Sequence, residues 1–299
     1  MIKLKDIIAF IKENQFIGNE NIFVSEMIQL DIHNTREDVL FWCNDKNIEQ
    51  IKNCKKGVVI CTNKALEFVP LNPVVNYIIV ENTRLVFSNV LNEFFVVNNT
   101  EAVISTKAII HPTAKIGTNV SVGANTIIEE YCQIGDNTII GCNNVIHTRT
   151  RIGENVKIGS NNTIGGVGFG YEMNELGQYQ FIQHIGNVII KNYVEIGNNT
   201  CIDRAVLGST KIENNVKIDN LVHIAHGVQI DENSLIIANS MIAGSALIGK
   251  NVWISPSVSI LNKAVIGDNS LVGMGAVVIK KVDKKTIVVG NPAKFLKNK

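Results

Sequence analysis

The chain has 299 residues, 18% of them charged, and a formal net charge of +1. With no long basic or acidic run, it lacks the electrostatic footprint of a nucleic-acid or membrane-surface binder, and no uncharged stretch reaches the length of a transmembrane span. Scarce proline with abundant isoleucine, valine and asparagine suits short strands joined by tight polar turns, in one large domain or two ordinary ones.

Residues 1–100 read as a small α/β domain. Ile7, Ile8, Phe10 and Ile11 predict an amphipathic first helix. Gly57–Cys61 and residues 77–80 predict short buried strands, and residues 83–95 a helix capped by Thr83. The N-terminus, Met1-Ile-Lys-Leu-Lys-Asp6, is charged where a signal peptide would be apolar, so a cytoplasmic location is expected. Cys43, Cys54, Cys61, Cys132, Cys142 and Cys201 form no CxxC pair and no metal-ligand spacing. They read as buried thiols, with neither a disulfide frame nor a metal site expected.

From Ile104 an aliphatic residue recurs at every sixth position through Ile110, Ile116, Val122 and onward to Ile164. The phase breaks, resumes at Ile190, Ile196 and Ile202, skips four residues within Arg204 to Thr210, and then runs from Ile212 to Val278 without a miss. One hexad is one short strand and one turn. Three close a triangular coil of 18 residues with the aliphatic inward, and coils stack at roughly 4.8 Å. Gly and Asn are expected at corners that need positive φ. Residues 101–280 are therefore predicted to form a parallel β-helix in a mainly β protein, with residues 165–184 leaving the coil as a loop and 281–299 as a short tail. Spacing alone does not set the handedness.

The coil geometry groups candidate chemistry. His226, Gly244 and Asn262 each lie two residues after an inward Ile and 18 residues apart, so they form one outward column. Successive members are about 5 Å apart, a gap fit for a reacting carbonyl between a base and a backbone N–H. His223 and Lys263 flank the column, whereas His111, His147 and His184 read as structural.

The stretch Asp219-Asn-Leu-Val-His-Ile-Ala-His226, followed by Ala243-Gly-Ser245, resembles the active-site region of the UDP-3-O-acylglucosamine N-acyltransferases of lipid A biosynthesis. So do Ile202-Asp-Arg204, the Gly168-Phe-Gly-Tyr171 loop and Leu40-Phe-Trp-Cys-Asn44. The resemblance implies a left-handed helix, a homotrimer, His226 as general base and the Gly244 N–H as oxyanion donor. It implies that Phe41 stacks on the nucleotide base with Asn44 at its edge, and that Asn220 and His223, the latter replacing a glutamine, lie near the sugar. Phe169, Tyr171, Asn262 and Lys263 fall to the acyl-donor side. No cofactor or metal is implied, only a thioester co-substrate.

Three departures concern that donor: Lys263 replaces a histidine, Val167 replaces an aspartate, and Val289-Gly-Asn-Pro-Ala-Lys294 resembles the tail of coenzyme A-dependent sugar acetyltransferases. They favour acyl-CoA and a UDP- or dTDP-linked amino sugar of surface polysaccharide, with the lipid A reaction using acyl carrier protein as the alternative. A metal-dependent hydratase would need three convergent histidines. A non-catalytic β-helix scaffold would not need the His–Gly–Asn column, and the absence of a phosphate-gripping motif disfavours a nucleotidyltransferase.

Overall fold

A computed structural model of the protein describes residues 1–29, 36–44, 48–68, 71–96 and 101–299. The chain divides into two compact units, Met1–Thr100 and Glu101–Lys299.

The first unit is built on a five-stranded sheet in the order Gln15–Ile17, Val75–Ile79, Gly57–Cys61, Val39–Trp42, Glu26–Met27. The first strand is antiparallel to its neighbour and the rest pair in parallel. Both faces are covered, so Gly57–Cys61 is buried throughout, as expected of a parallel strand. The first helix is Leu4–Phe10, burying Leu4 and Ile7. The helix expected over 83–95 is α-helical over Thr83–Val90 and closes with a π turn at Leu91–Phe95. Its cap is Asn82 rather than Thr83: the Asn82 Oδ1 accepts the Leu85 N–H at 3.1 Å. Thr83 is instead the first helical residue and is buried.

The second unit is the expected parallel β-helix. Its three sheets have ten, nine and eight strands. The inward aliphatics stack coil on coil, as in Ile218↔Ile236↔Ile254, and one continuous aliphatic core runs from Val120 to Val288. Most coils repeat at 18 residues, but two stretches do not. Ile152, Ile158 and Ile164 pair with Ile190, Ile196 and Ile202, and these pair in turn with Ile212, Ile218 and Ile224.

Asparagine holds most corners at positive φ, as at Asn119, Asn137 and Asn251. The glycines that follow the aliphatics have a different cause. Gly135 and Gly153 are not at positive φ. A Cβ on Gly135 would come within 2.5 Å of the Gly153 carbonyl carbon, so close stacking of coils requires glycine there. A second inward position, two residues before the aliphatic, is valine or alanine at many coils, as at Val216 and Ala246, and at others carries a buried polar group that ties coils together. Thr126 Oγ1 donates to the Gly141 carbonyl at 2.7 Å and Asn144 Nδ2 to the Gly159 carbonyl at 2.8 Å.

Residues 281–299 are more than a tail. Thr286–Val289 pairs in parallel with the last coil at Leu271–Val272, and Lys294–Asn298 folds back antiparallel on it. Four cysteines are buried as expected, but Cys142 and Cys201 are exposed because they sit on the outer surface of the coil. Burial pushes the Cys54 thiol up to about 11 and the Cys61 thiol to about 12.

Ile236 is fully buried between two coils. Ile236→Ala should cost about 2–5 kcal/mol and Ile236→Val about 0.5–1.5 kcal/mol, read from urea denaturation by circular dichroism.

Candidate active site

The site grows from the sheet containing His223–Ile224. The hydrogen-bond ladder points Ile224 inward and leaves His226 on the following corner, where it is half-buried. One coil on, Gly244 lies directly against the imidazole: a Cβ at 244 would fall 2.7 Å from His226 Nε2. The backbone continues the column, with Ser245 N–H donating to the His226 carbonyl and Lys263 N–H to the Gly244 carbonyl, each at 2.9 Å. Among the described residues no protein acceptor takes the Gly244 N–H.

The excursion at 165–184 carries an antiparallel hairpin, Tyr171–Met173 with Tyr179–Phe181. Arg204 anchors its start, its Nε donating to the Gly165 carbonyl at 2.6 Å. The loop then crosses the histidines at Gly168, where a Cβ would lie 3.0 Å from both His184 Nε2 and His226 Cβ. From there a file of aromatic rings runs outward. His226 meets His184 edge to face at 5.2 Å, His184 stacks on Phe181 at 5.6 Å, and Phe181 meets Tyr171 at 5.3 Å and Tyr171 meets Phe169 at 5.0 Å between centroids. Phe169, Gly170, Tyr171, Tyr179 and Ile182 line an apolar groove of about 610 Å³.

The electrostatics suit a neutral base. Burial, and secondarily the neighbouring His184, hold the His226 imidazole below its ordinary value. His223 lies 3.5 Å from Asp203 Oδ2. Burial raises the Asp203 carboxyl, against the opposing pull of His223 and then His184.

The other expected residues are placed as follows. Asn262 and Lys263 are exposed one coil beyond Gly244, and Lys263 takes a corner with φ of 59°. Asn220 stands at the opposite corner of the same face. Its Oδ1 accepts the Asn198 N–H at 2.7 Å and its Nδ2 donates to Asp219 Oδ1 at 2.8 Å. In the first unit Phe41 is 0% exposed, packed with Val39, Cys43 and Val59 in one core layer, while Asn44 is half-buried. Among the described residues no group of three or more His, Cys, Asp and Glu side chains is placed to hold a metal, and no helix is long and apolar enough to cross a membrane. Asp203, His184 and Phe181 are site residues that the repeat did not reveal. The 22- and 38-residue coils remove them from the 18-residue column.

The family model described as bacterial transferase hexapeptide (six repeats) matches residues 131–166, 209–244 and 245–280. The chain is 38% identical over 226 residues to a UDP-3-O-acylglucosamine N-acyltransferase of Protochlamydia amoebophila, covering 69% of this chain and 63% of that protein. It is 44% identical over 194 residues to the enzyme of the same name from Campylobacter concisus, covering 61% and 60%. It thus spans less than two thirds of the length of these relatives. A crystal structure of a UDP-N-acetylglucosamine acyltransferase from Bacteroides fragilis superposes with a TM-score of 0.59 at 27% identity, covering 65% of this chain and 74% of that one. The corresponding enzyme from Campylobacter jejuni gives 0.60 at 21%, covering 66% and 75%, and bears on the fold alone. Repeat and parallel coil coincide, and the chain is similar to the hexapeptide-repeat acyltransferases, its curated relatives being named UDP-3-O-acylglucosamine N-acyltransferase.

Proposed function

We propose that the protein transfers an acyl group from a thioester to the amine of a nucleotide-linked amino sugar, with UDP-3-O-acylglucosamine as the acceptor. The packing of the His226 imidazole against Gly244 carries this reading. The names of the relatives favour this acceptor over the surface-polysaccharide sugar that the sequence features suggested. The donor is a thioester of coenzyme A or of acyl carrier protein, and a homotrimer belongs to the same reading.

The chemistry follows from the geometry. The amine attacks the thioester carbonyl while neutral His226 takes its proton. The carbonyl oxygen becomes an oxyanion and turns toward the Gly244 N–H, a donor already in place and needing no reorganisation. The C–S bond breaks, and His226 returns the proton to the departing thiolate. The apolar groove beside the hairpin suits the acyl-donor side, where Phe169 and Tyr171 were expected to act. Fully buried Phe41 presents no face for a nucleotide base to stack on.

His226→Ala should retain the fold and oligomeric state by circular dichroism and scattering, yet lose about 10²–10⁴-fold in turnover. Near-normal release of thiol by this variant would remove the proposed base. An NMR titration of the His226 imidazole should give a midpoint below the ordinary histidine value of about 6.5, because burial disfavours its charged form. Supplying UDP-3-O-acylglucosamine with acyl-CoA and with acyl carrier protein thioesters in parallel identifies the donor by which thiol is released.

A further inference from the structure

Two acceptors, one against His226 and one on the neighbouring coil, are left short of donors. The Asp203 side chain is only 13% exposed, and its ion-pair partner is the His223 Nε2 at 3.5 Å. Among the described residues no hydrogen-bond donor reaches its carboxylate oxygens. His184 is 5% exposed. Its Nδ1–H donates to the Ile182 carbonyl at 2.7 Å, so in the neutral ring Nε2 is an acceptor. That Nε2 is buried and has no partner.

Buried acceptors without donors are costly, and a buried carboxylate most of all. A water molecule relieves one such deficit but brings no charge. The group that satisfies both at once carries several N–H donors and a positive charge. The two residues reach the base from different segments: His184 at the end of the loop excursion, with its ring 5.2 Å from that of His226, and Asp203 on the coil paired with that of His226. His184 therefore touches the proposed base, and Asp203 lies on the neighbouring coil of the same sheet.

We propose that Asp203 and His184 form the receiving site for the acceptor's primary ammonium, with Asp203 supplying charge and His184 Nε2 a directed acceptor. This rests on the amino-sugar reading above and assigns the residues that select the amine. The group binds as the ammonium and releases one proton to solvent to become the free amine. It gives a second to His226 as the C–N bond forms and the C–S bond breaks, and His226 passes that proton to the thiolate.

The test compares binding of UDP-3-O-acylglucosamine with that of UDP-3-O-acylglucose, in which a hydroxyl replaces the amine, by calorimetry without donor. The intact protein should prefer the amine by about tenfold or more, the scale of one charge-assisted hydrogen bond. Asp203→Asn should abolish the preference while leaving affinity for the hydroxyl analogue unchanged. Equal affinities in the intact protein overturn the proposal even if the variant does not fold. A preference that survives in a folded Asp203→Asn protein overturns the role of Asp203 and leaves the amino-sugar reading standing. If the intact protein binds neither compound, the amino-sugar reading falls and the receiving site with it.

Discussion

Everything in the second unit depends on the ladder that stacks each inward aliphatic on the next coil. A single coil cannot bury its own interior, so stability arises only between neighbours. The same stacking dictates the chemistry on the outside. Once Ile224 and Ile242 are paired, the residues two positions on are forced together, and His226 meets Gly244 for the same reason that the core is dry. The proximity on which the proposed catalysis rests is a by-product of core register.

The register also explains why the corners and the close approaches use different residues. Asparagine at positive φ turns the chain and links coils side chain to side chain, as Asn119 Nδ2 does with Asn137 Oδ1 at 2.9 Å. Glycine stands where two backbones come too close for any Cβ. The buried threonine and asparagine rungs close the remaining gap by capping carbonyl oxygens that the coil would otherwise leave bare.

These different demands set how much was legible in the sequence. The hexad is a strong periodic signal, so the coil, its two interruptions and the His226–Gly244 column could be read directly. Asp203 and His184 could not. Their coils are 22 and 38 residues long, and the arithmetic that aligns the column does not reach across them. His184 in particular owes its position to a loop whose path no period describes. In the first unit the sheet is covered on both faces, so alternation along residues 39–42 cannot tell which side chain meets a ligand. Phe41 turned out to face a sealed core layer.

The hairpin excursion has a consequence for how such enzymes diversify. Ile164 pairs with Ile202 across the 38-residue coil, with the register shift falling beyond it toward Gly166, so the inward ladder continues past the excursion. The loop is a detachable tool mounted on a fixed rail. Its reach, composition and aromatic lining can be rewritten without disturbing any rung of the ladder, while the proposed base and oxyanion donor stay in place on the rail itself. Substrate range and catalytic power are thereby inherited separately: one from an insertion free to drift, the other from a repeat that cannot.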